Sequence, residues 1–311
     1  MPRPERHDVL IVGAGVAGLS AALWLRDFAL DALVLEEAPQ PGGQLHEVYG
    51  TIQNYLLGFQ WEGRRFAGQV LNDARAATLR ILVGEAVARL SVRGRWVERA
   101  GGERFSARAI VIATGLRRRR LGVPGEEALL GRGVSHSANR DRGRFSGKPV
   151  VVVGGGTAAV EDSIICADSG SDVTLLHHSK RFRARSDFLE RARAHSKIRI
   201  LSNATVVELV GTERLERVRY RVGDGRKVEE IAADAAFIRI GWEPQTDRFR
   251  GVIRLDRAGF VKTRAGGLTS APGIYAAGDV CSPRSPAIAN AAGQGAAVAW
   301  EIARSLGRLK E

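Results

Sequence analysis

Residues Val9–Gly18 read VLIVGAGVAG: four apolar, β-prone residues run into Gly13-x-Gly15-x-x-Gly18, and an Ala/Leu-rich helical pattern follows at once. Each glycine has a mechanical reason. The first permits a tight strand-to-helix turn, the second lets a pyrophosphate approach the backbone, and the third lets the helix pack on the strand. A helix N-terminus at this point offers free N–H groups and about half a positive charge to phosphates. Ala32–Leu35 supplies a second strand that ends in Glu36, twenty-three positions after Gly13, where a ribose hydroxyl needs an acceptor.

Outward from that stretch, Gly42-Gly43-Gln44-Leu45 forms a loop able to lie close to a flat ligand, and Ile52–Tyr55 a second loop cluster. Arg64–Thr78 carries apolar residues at helical spacing. Short β-prone runs follow at Ile81–Val83, Ala86–Val92, Trp96–Glu98 and Glu103–Ala107, a small meander. Ala109–Ala113 reads as a separate buried strand closing in Thr114-Gly115. The arginines of Leu116–Arg120 read as the solvated face of a crossing between domains.

The pattern then begins again. Val150–Val153 leads into Gly154-x-Gly156-x-x-Ala159, a helix runs to Asp168, and the strand Val173–Leu176 follows. His177 stands twenty-three positions after Gly154, the Gly13-to-Glu36 spacing repeated. Two dinucleotide modules of equal internal length fit one flavin and one nicotinamide dinucleotide. Runs at Ile198–Leu201, Thr205–Val210, Val218–Val222 and Ala236–Ile240 complete the second module, and Gly241–Pro244 reads as the return crossing. A strand ending in Gly278-Asp279 presents a carboxylate to a ribityl or pyrophosphate region. A helix from about Ala287 to Leu306 directs its positive end at an electron-rich ring edge.

At 311 residues the chain accommodates two domains. No apolar run reaches membrane-spanning length, and MPRPERHD lacks an apolar signal region, so a cytoplasmic location without membrane insertion is expected. Two cysteines, Cys166 and Cys281, give no disulfide framework. The net charge of +13 comes from arginines scattered through every segment, with too few aromatics for a nucleic-acid platform. It is either an Arg-rich solvated surface or a field that attracts an acidic protein.

The marks Gly13–Gly18 with Glu36, Gly42–Leu45, Asn54, Ala113–Gly115, Gly131–Ser135, Gly154–Glu161 and Tyr275–Asp279 resemble those of the low-molecular-weight thioredoxin reductases, over nearly the whole chain. The resemblance implies an α/β protein of two Rossmann-like domains: a discontinuous FAD domain, 1–116 with 245–311, and an inserted NAD(P)H domain, 117–244. It implies a homodimer and two hinge crossings. It further implies that Gly13, Gly15 and Gly18 hold the FAD pyrophosphate and Glu36 the adenosine ribose. Gly43, Gln44, Leu45, Asn54, Thr114 and Gly115 would line the flavin, Val87 the adenine, Asp279 the ribityl–phosphate region and Ala287 the pyrimidine edge. Gly154, Gly156, Thr157, Ala158, Glu161, His177, His178 and Arg183 would hold the nicotinamide nucleotide.

The chain departs from that pattern twice. The family's Cys-x-x-Cys positions are here Ser137 and Arg140, within His136–Asp141. Serine has no accessible redox couple and arginine is no thiol nucleophile, so transfer from flavin to an internal dithiol is unavailable. Asp141 stands at the family's proton-donor position and either serves as an acid or caps a local turn; His136 is a second candidate acid. In addition, the tandem arginines expected to bind a 2′-phosphate are His178 and Ser179, with Lys180, Arg181 and Arg183 nearby. The expectation is an FAD enzyme oxidising NADPH or NADH, with NADPH favoured. Its electrons would pass to a ferredoxin, flavodoxin, quinone or oxygen. The alternatives are a degenerate flavin protein without nicotinamide turnover, and a disulfide reductase working through Cys281.

Overall fold

The computed structural model describes residues 5–281 and 286–309. The chain opens with β1 (Glu5–Val12), α1 (Val16–Asp27) and β2 (Ala32–Leu35), then α2 (Gly63–Ala76) and β3 (Arg80–Leu82). β4 (Val87–Ser91), β5 (Trp96–Arg99) and β6 (Arg104–Ile112) follow, and β7 (Leu116–Arg118) is the first crossing. Next come β8 (Val134–Ser135), α3 (Ala138–Asp141), β9 (Pro149–Val153), α4 (Thr157–Asp168), β10 (Asp172–His177), α5 (Ser186–Ala194) and β11 (Ile198–Ser202). β12 (Ala204–Val210), β13 (Arg217–Val222) and β14 (Val228–Ala232) precede β15 (Ala235–Ile238) and the return crossing β16 (Trp242–Pro244). β17 (Ile274–Ala276) and α6 (Ile288–Ser305) end the described elements. Two compact units result: Met1–Arg117 with Glu243–Glu311, and Arg118–Trp242.

In the first unit β3, β2, β1, β6 and β17 form a parallel sheet, and β5 and β4 continue it as an antiparallel meander from the start of β6. Because successive residues of a strand face opposite sides, Val9 and Ile11 pack with α1 and α6. Leu10 and Val12 pack with Phe105, Val97 and Leu90 beneath the meander. The Ala/Gly-rich run of α6 is explained by its neighbour: a Cβ on Gly295 would collide with the Ala17 carbonyl of α1. Close approach of the two helices is therefore written in small residues.

The second unit repeats this plan. Its parallel sheet runs β11, β10, β9, β15, β8, and a separate antiparallel sheet, β12, β13, β14, covers one face. β15 is buried at every position, as expected of a central parallel strand covered on both faces.

Three features differ from the sequence reading. Glu103–Ala107 and Ala109–Ala113 are not two strands but one, β6, whose first half pairs with β5 and whose second half pairs with β17. Arg108 interrupts the apolar pattern without breaking the strand, since its side chain lies outward against Asp8 at 3.4 Å. α5 and β14 were invisible because each buries little: α5 buries only Ala192, and β14 is an edge strand of alternating exposure. The arginine run, exposed except at the half-buried Arg118, is not merely solvated. Arg117 pairs with Glu243 and Asp247, both at 2.7 Å, and Arg118 lies 4.2 Å over the Trp242 ring. Arg119 Nε donates to the Trp242 carbonyl at 3.1 Å, so both crossings are joined as the two-stranded sheet of β7 and β16.

Candidate functional site

In the first unit the glycine loop is shaped by its own backbone. Gly13 (φ +107°) could carry no Cβ without striking the Ala113 carbonyl, and Gly18 none without striking that of Gly13. Gly15 differs: a Cβ there would meet nothing within 4 Å. Its glycine is required by none of the described residues, which leaves close approach of a ligand as the physical reason. No side chain caps α1 at Gly15, so its first N–H groups stay available. Glu36 directly follows β2 and accepts from the Ala14 N–H at 2.6 Å and the Ala38 N–H at 2.9 Å, a carboxylate held beside the loop with lone pairs to spare.

Of the other predicted residues of this unit, the Gly42–Gly43 turn meets that loop. The Gly42 N–H donates to the Ala14 carbonyl at 2.8 Å, and a Cβ on Gly43 would lie 3.1 Å from the Cα of Gly15. Gln44 follows in the same 3-10 turn, Gly43–Glu47, and its amide lies against Gly115. Leu45 is buried beneath, and Val87 is buried at the start of β4. Asn54 is exposed on its loop. Asp279 follows β17 and is bonded by the Ala287 N–H at the start of α6. Burial lifts the Asp279 carboxyl to about 6, and its Oδ1 is buried with no hydrogen-bond partner among the described residues. An orphaned carboxylate oxygen, an open glycine cradle and uncapped helix ends fit a dinucleotide bearing hydroxyl donors and phosphates. One contributor carried no sequence signal. Gln245 donates through its amide to the Thr114 carbonyl at 2.8 Å, and Thr114 Oγ1 donates to the Gln245 carbonyl at 2.8 Å, fixing the Thr114–Gly115 turn from far along the chain.

The second unit builds a matching loop. Gly154 (φ +150°) is forced by the Arg239 carbonyl, whereas Gly156, which starts α4 without a side-chain cap, faces open space. Thr157 Oγ1 accepts from the Arg185 N–H at 3.1 Å, and the Gly155 carbonyl accepts from the Arg183 N–H at 2.8 Å. These two bonds lay the loop carrying His178 and Arg183, both exposed, back onto the glycine turn. Ala158 and Glu161 are exposed on α4. His177 is buried, its ring packed where a Cβ on Gly155 would be. Its Nε2 donates to the Arg181 carbonyl at 3.0 Å, which leaves Nδ1 as an acceptor without a partner among the described residues. Burial lowers its pKa, so the ring is neutral near pH 7.

The Ser135–Asp141 stretch is densely bonded. Ser137 caps α3 and accepts from the Arg140 N–H at 3.4 Å. The buried Asp141 carboxylate accepts from Ser135 Oγ at 2.6 Å and from Arg140 Nη2 at 2.7 Å. Burial pushes Asp141 up, but those hydrogen bonds outweigh it and hold the group below the ordinary carboxylate range. An ionised, chelated carboxylate has no proton to give at neutral pH, a geometry suited to structure rather than to the acid role. His136 is part-buried, its Nδ1 donating to the Ile238 carbonyl at 3.3 Å. Cys166 is buried in α4 and Cys281 is half-buried after Asp279; burial pushes each thiol up to about 12. Neither is a thiolate at neutral pH. Among the described residues no cluster of metal-binding side chains occurs, and no helix is long and apolar enough to cross a membrane.

Comparison with known proteins bears on this geometry. The family model described as pyridine nucleotide-disulphide oxidoreductase matches residues 7–295. The chain is 36% identical to a protein of Mycolicibacterium smegmatis named thioredoxin reductase, over 96% of either chain. It is 32% identical to the thioredoxin reductase of Bacillus subtilis, over 100% of this chain and 98% of that one. The crystal structure of Lactococcus lactis thioredoxin reductase in its FR conformation superposes with a TM-score of 0.82 at 29% identity, covering 97% of this chain and 100% of that one. Two Rossmann-type modules and a match along nearly the full length make the chain a thioredoxin reductase-like member of the pyridine nucleotide-disulphide oxidoreductase family.

Proposed function

We propose that this protein is an FAD-dependent oxidoreductase that takes electrons from NAD(P)H and delivers them to an external acceptor without an internal dithiol. One observation carries the reading. The Cys-x-x-Cys positions are filled by Ser137, a helix cap, and by Arg140, whose guanidinium is committed to Asp141. The remaining thiols, Cys166 and Cys281, are both protonated by burial, which argues against a disulfide reductase working through Cys281 and against reduction of thioredoxin by a dithiol route.

FAD supplies the two-electron chemistry when bound. Gly13, Gly15 and Gly18 with the start of α1 would cradle its pyrophosphate, and Glu36 its adenosine ribose. Gly43, Gln44, Leu45, Asn54, Thr114 and Gly115 would line the ring system, with Val87 at the adenine. Asp279 would accept from ribityl hydroxyls, and the start of α6 at Ala287 would face the pyrimidine edge. In the second unit Gly154, Gly156, Thr157, Ala158 and Glu161 would receive NADPH or NADH, with His177, His178 and Arg183 around the adenosine ribose. The basic loop favours NADPH. The acceptor is a ferredoxin, flavodoxin, quinone or oxygen; an acidic carrier protein suits the +13 charge. A homodimer in the cytoplasm is the expected setting.

A second reading, a flavin protein that no longer turns over nicotinamide, is favoured by His178 and Ser179 standing where tandem arginines would bind phosphate. Anaerobic mixing of the yellow protein with NADPH and then NADH separates the two. Rapid bleaching of the flavin band supports the enzyme, and no bleaching with either nucleotide at high excess removes it.

A further inference from the structure

Asp162 is 3% exposed on α4, and it forms a salt bridge with Arg239, just past β15, with Arg239 Nε 3.1 Å from Asp162 Oδ2. The same two side chains hold a third segment. Arg239 Nη1 donates to the His136 carbonyl at 2.9 Å, and Asp162 Oδ2 accepts from the Ala138 N–H at 3.2 Å. Arg239 is also fixed by its backbone. Its N–H donates to the Val153 carbonyl at 2.8 Å, and its carbonyl is the atom that forbids a side chain at Gly154. A buried ion pair is weak evidence for stability, because desolvation offsets most of the attraction. This pair instead joins three elements at the carboxyl edge of the β9–β15 sheet, where doubly wound folds bind their ligands.

We infer that Arg239 and Asp162 are positioning residues for nicotinamide binding. Together they pin the Ser135–Asp141 stretch, rebuilt here without thiols, to the glycine turn and to α4 as one wall of the nucleotide pocket. The inference rests on the reading that the second unit binds NAD(P)H. Neither residue need touch the nucleotide; both act through the backbone of His136 and Ala138. Replacing either partner alone strands a buried charge and so confounds stability with position. Removing both with Asp162→Leu plus Arg239→Met takes that penalty away.

The experiment measures anaerobic flavin bleaching against NADPH concentration, thermal stability, and amide exchange of residues 136–141, on the full flavin-loaded chain. The double variant is expected to melt near the wild type, keep the flavin spectrum, and need at least fivefold more NADPH for half-maximal bleaching, with faster exchange at 136–141. Arg239→Lys, which can reach Asp162 but not also the His136 carbonyl, is expected to fall between. A double variant with wild-type half-saturation and wild-type exchange overturns the inference. If the wild type itself is not bleached, the reading of the second unit fails. Exchange then decides the clamp alone: retained protection in the double variant overturns it and lost protection supports it.

Discussion

The two glycine loops of this chain share a skeleton and differ in chemistry. In both, the first glycine is compelled by a carbonyl of a neighbouring strand end, Ala113 in one and Arg239 in the other. In both, the glycine that starts the helix faces open space. The loop N–H groups even match, Gly13 to the Leu35 carbonyl at 2.8 Å and Gly154 to that of Leu176 at 2.9 Å. The divergence lies at the end of the second strand. There the first unit has Glu36, a carboxylate bonded to two backbone N–H groups. The second has His177, a neutral ring packed over Gly155 with one nitrogen unpaired. The backbone of such a loop is set by contacts the chain makes with itself, while ligand choice is left to one residue and the loop after it.

The largest effects should come from separating those two kinds of glycine. Gly13→Ala and Gly154→Ala force a side chain into a carbonyl at positive φ and should cost about 3 kcal/mol, read as a lowered melting temperature. Gly15→Val and Gly156→Val should leave melting of the flavin-free protein within roughly 0.5 kcal/mol of wild type. The first should abolish flavin retention; the second should keep the yellow colour and abolish bleaching. Equal destabilisation at all four positions would break the distinction.

Next in size, the strand-end residues should prove exchangeable in logic. Glu36→Gln should weaken flavin retention about tenfold, roughly 1.4 kcal/mol, measured by titrating FAD into apoprotein. His177→Glu places an acid where a free ribose hydroxyl needs an acceptor and a 2′-phosphate is repelled, and should shift the NADPH-to-NADH ratio towards NADH by about tenfold. An unchanged ratio would show that the residues after β10, not the strand end, set the preference. Arg183→Ala should then raise the NADPH requirement more than that for NADH, by a few-fold.

A further effect is a pH dependence that Asp279 gives to the first unit. Asp279 has its carboxyl raised to about 6 by burial from an ordinary 3.8, so the unfolded chain gives up this proton first. The flavin-free protein should be most favoured by this group below about 4, lose that contribution as pH rises through about 6, and show no further change above. Melting curves of apoprotein across that window test it, and Asp279→Asn should flatten the slope.

Much of the site was legible because its signals are local. Strand, glycine turn, helix and strand-end residue lie within a couple of dozen positions, and the second copy at equal spacing made the pattern specific. Equally plain was that neither Ser137 nor Arg140 offers thiol chemistry, since residue identity alone decides that. Other features were not legible. Arg108 hid the continuity of β6, because an outward charge within a strand looks like a break when the partner strands are unknown. Asp141 read either as an acid or as a turn cap, and nothing in the sequence disclosed the bonds that Arg140 and Ser135 make to its carboxylate. Gln245 carried no motif at all.

The amino-acid sequence by itself determined the two dinucleotide modules, the identities of Ser137 and Arg140 and the excess of positive charge. Periodicity, glycine spacing and side-chain chemistry act over short distances along the chain. Only the tertiary structure decided which polar groups are spent on one another: Arg117 on Glu243, Arg239 on Asp162, Thr114 on Gln245. Such partners are brought within bonding distance by strand order and packing. An ion pair or hydrogen bond depends on separation in space, and a linear text of residues does not contain it.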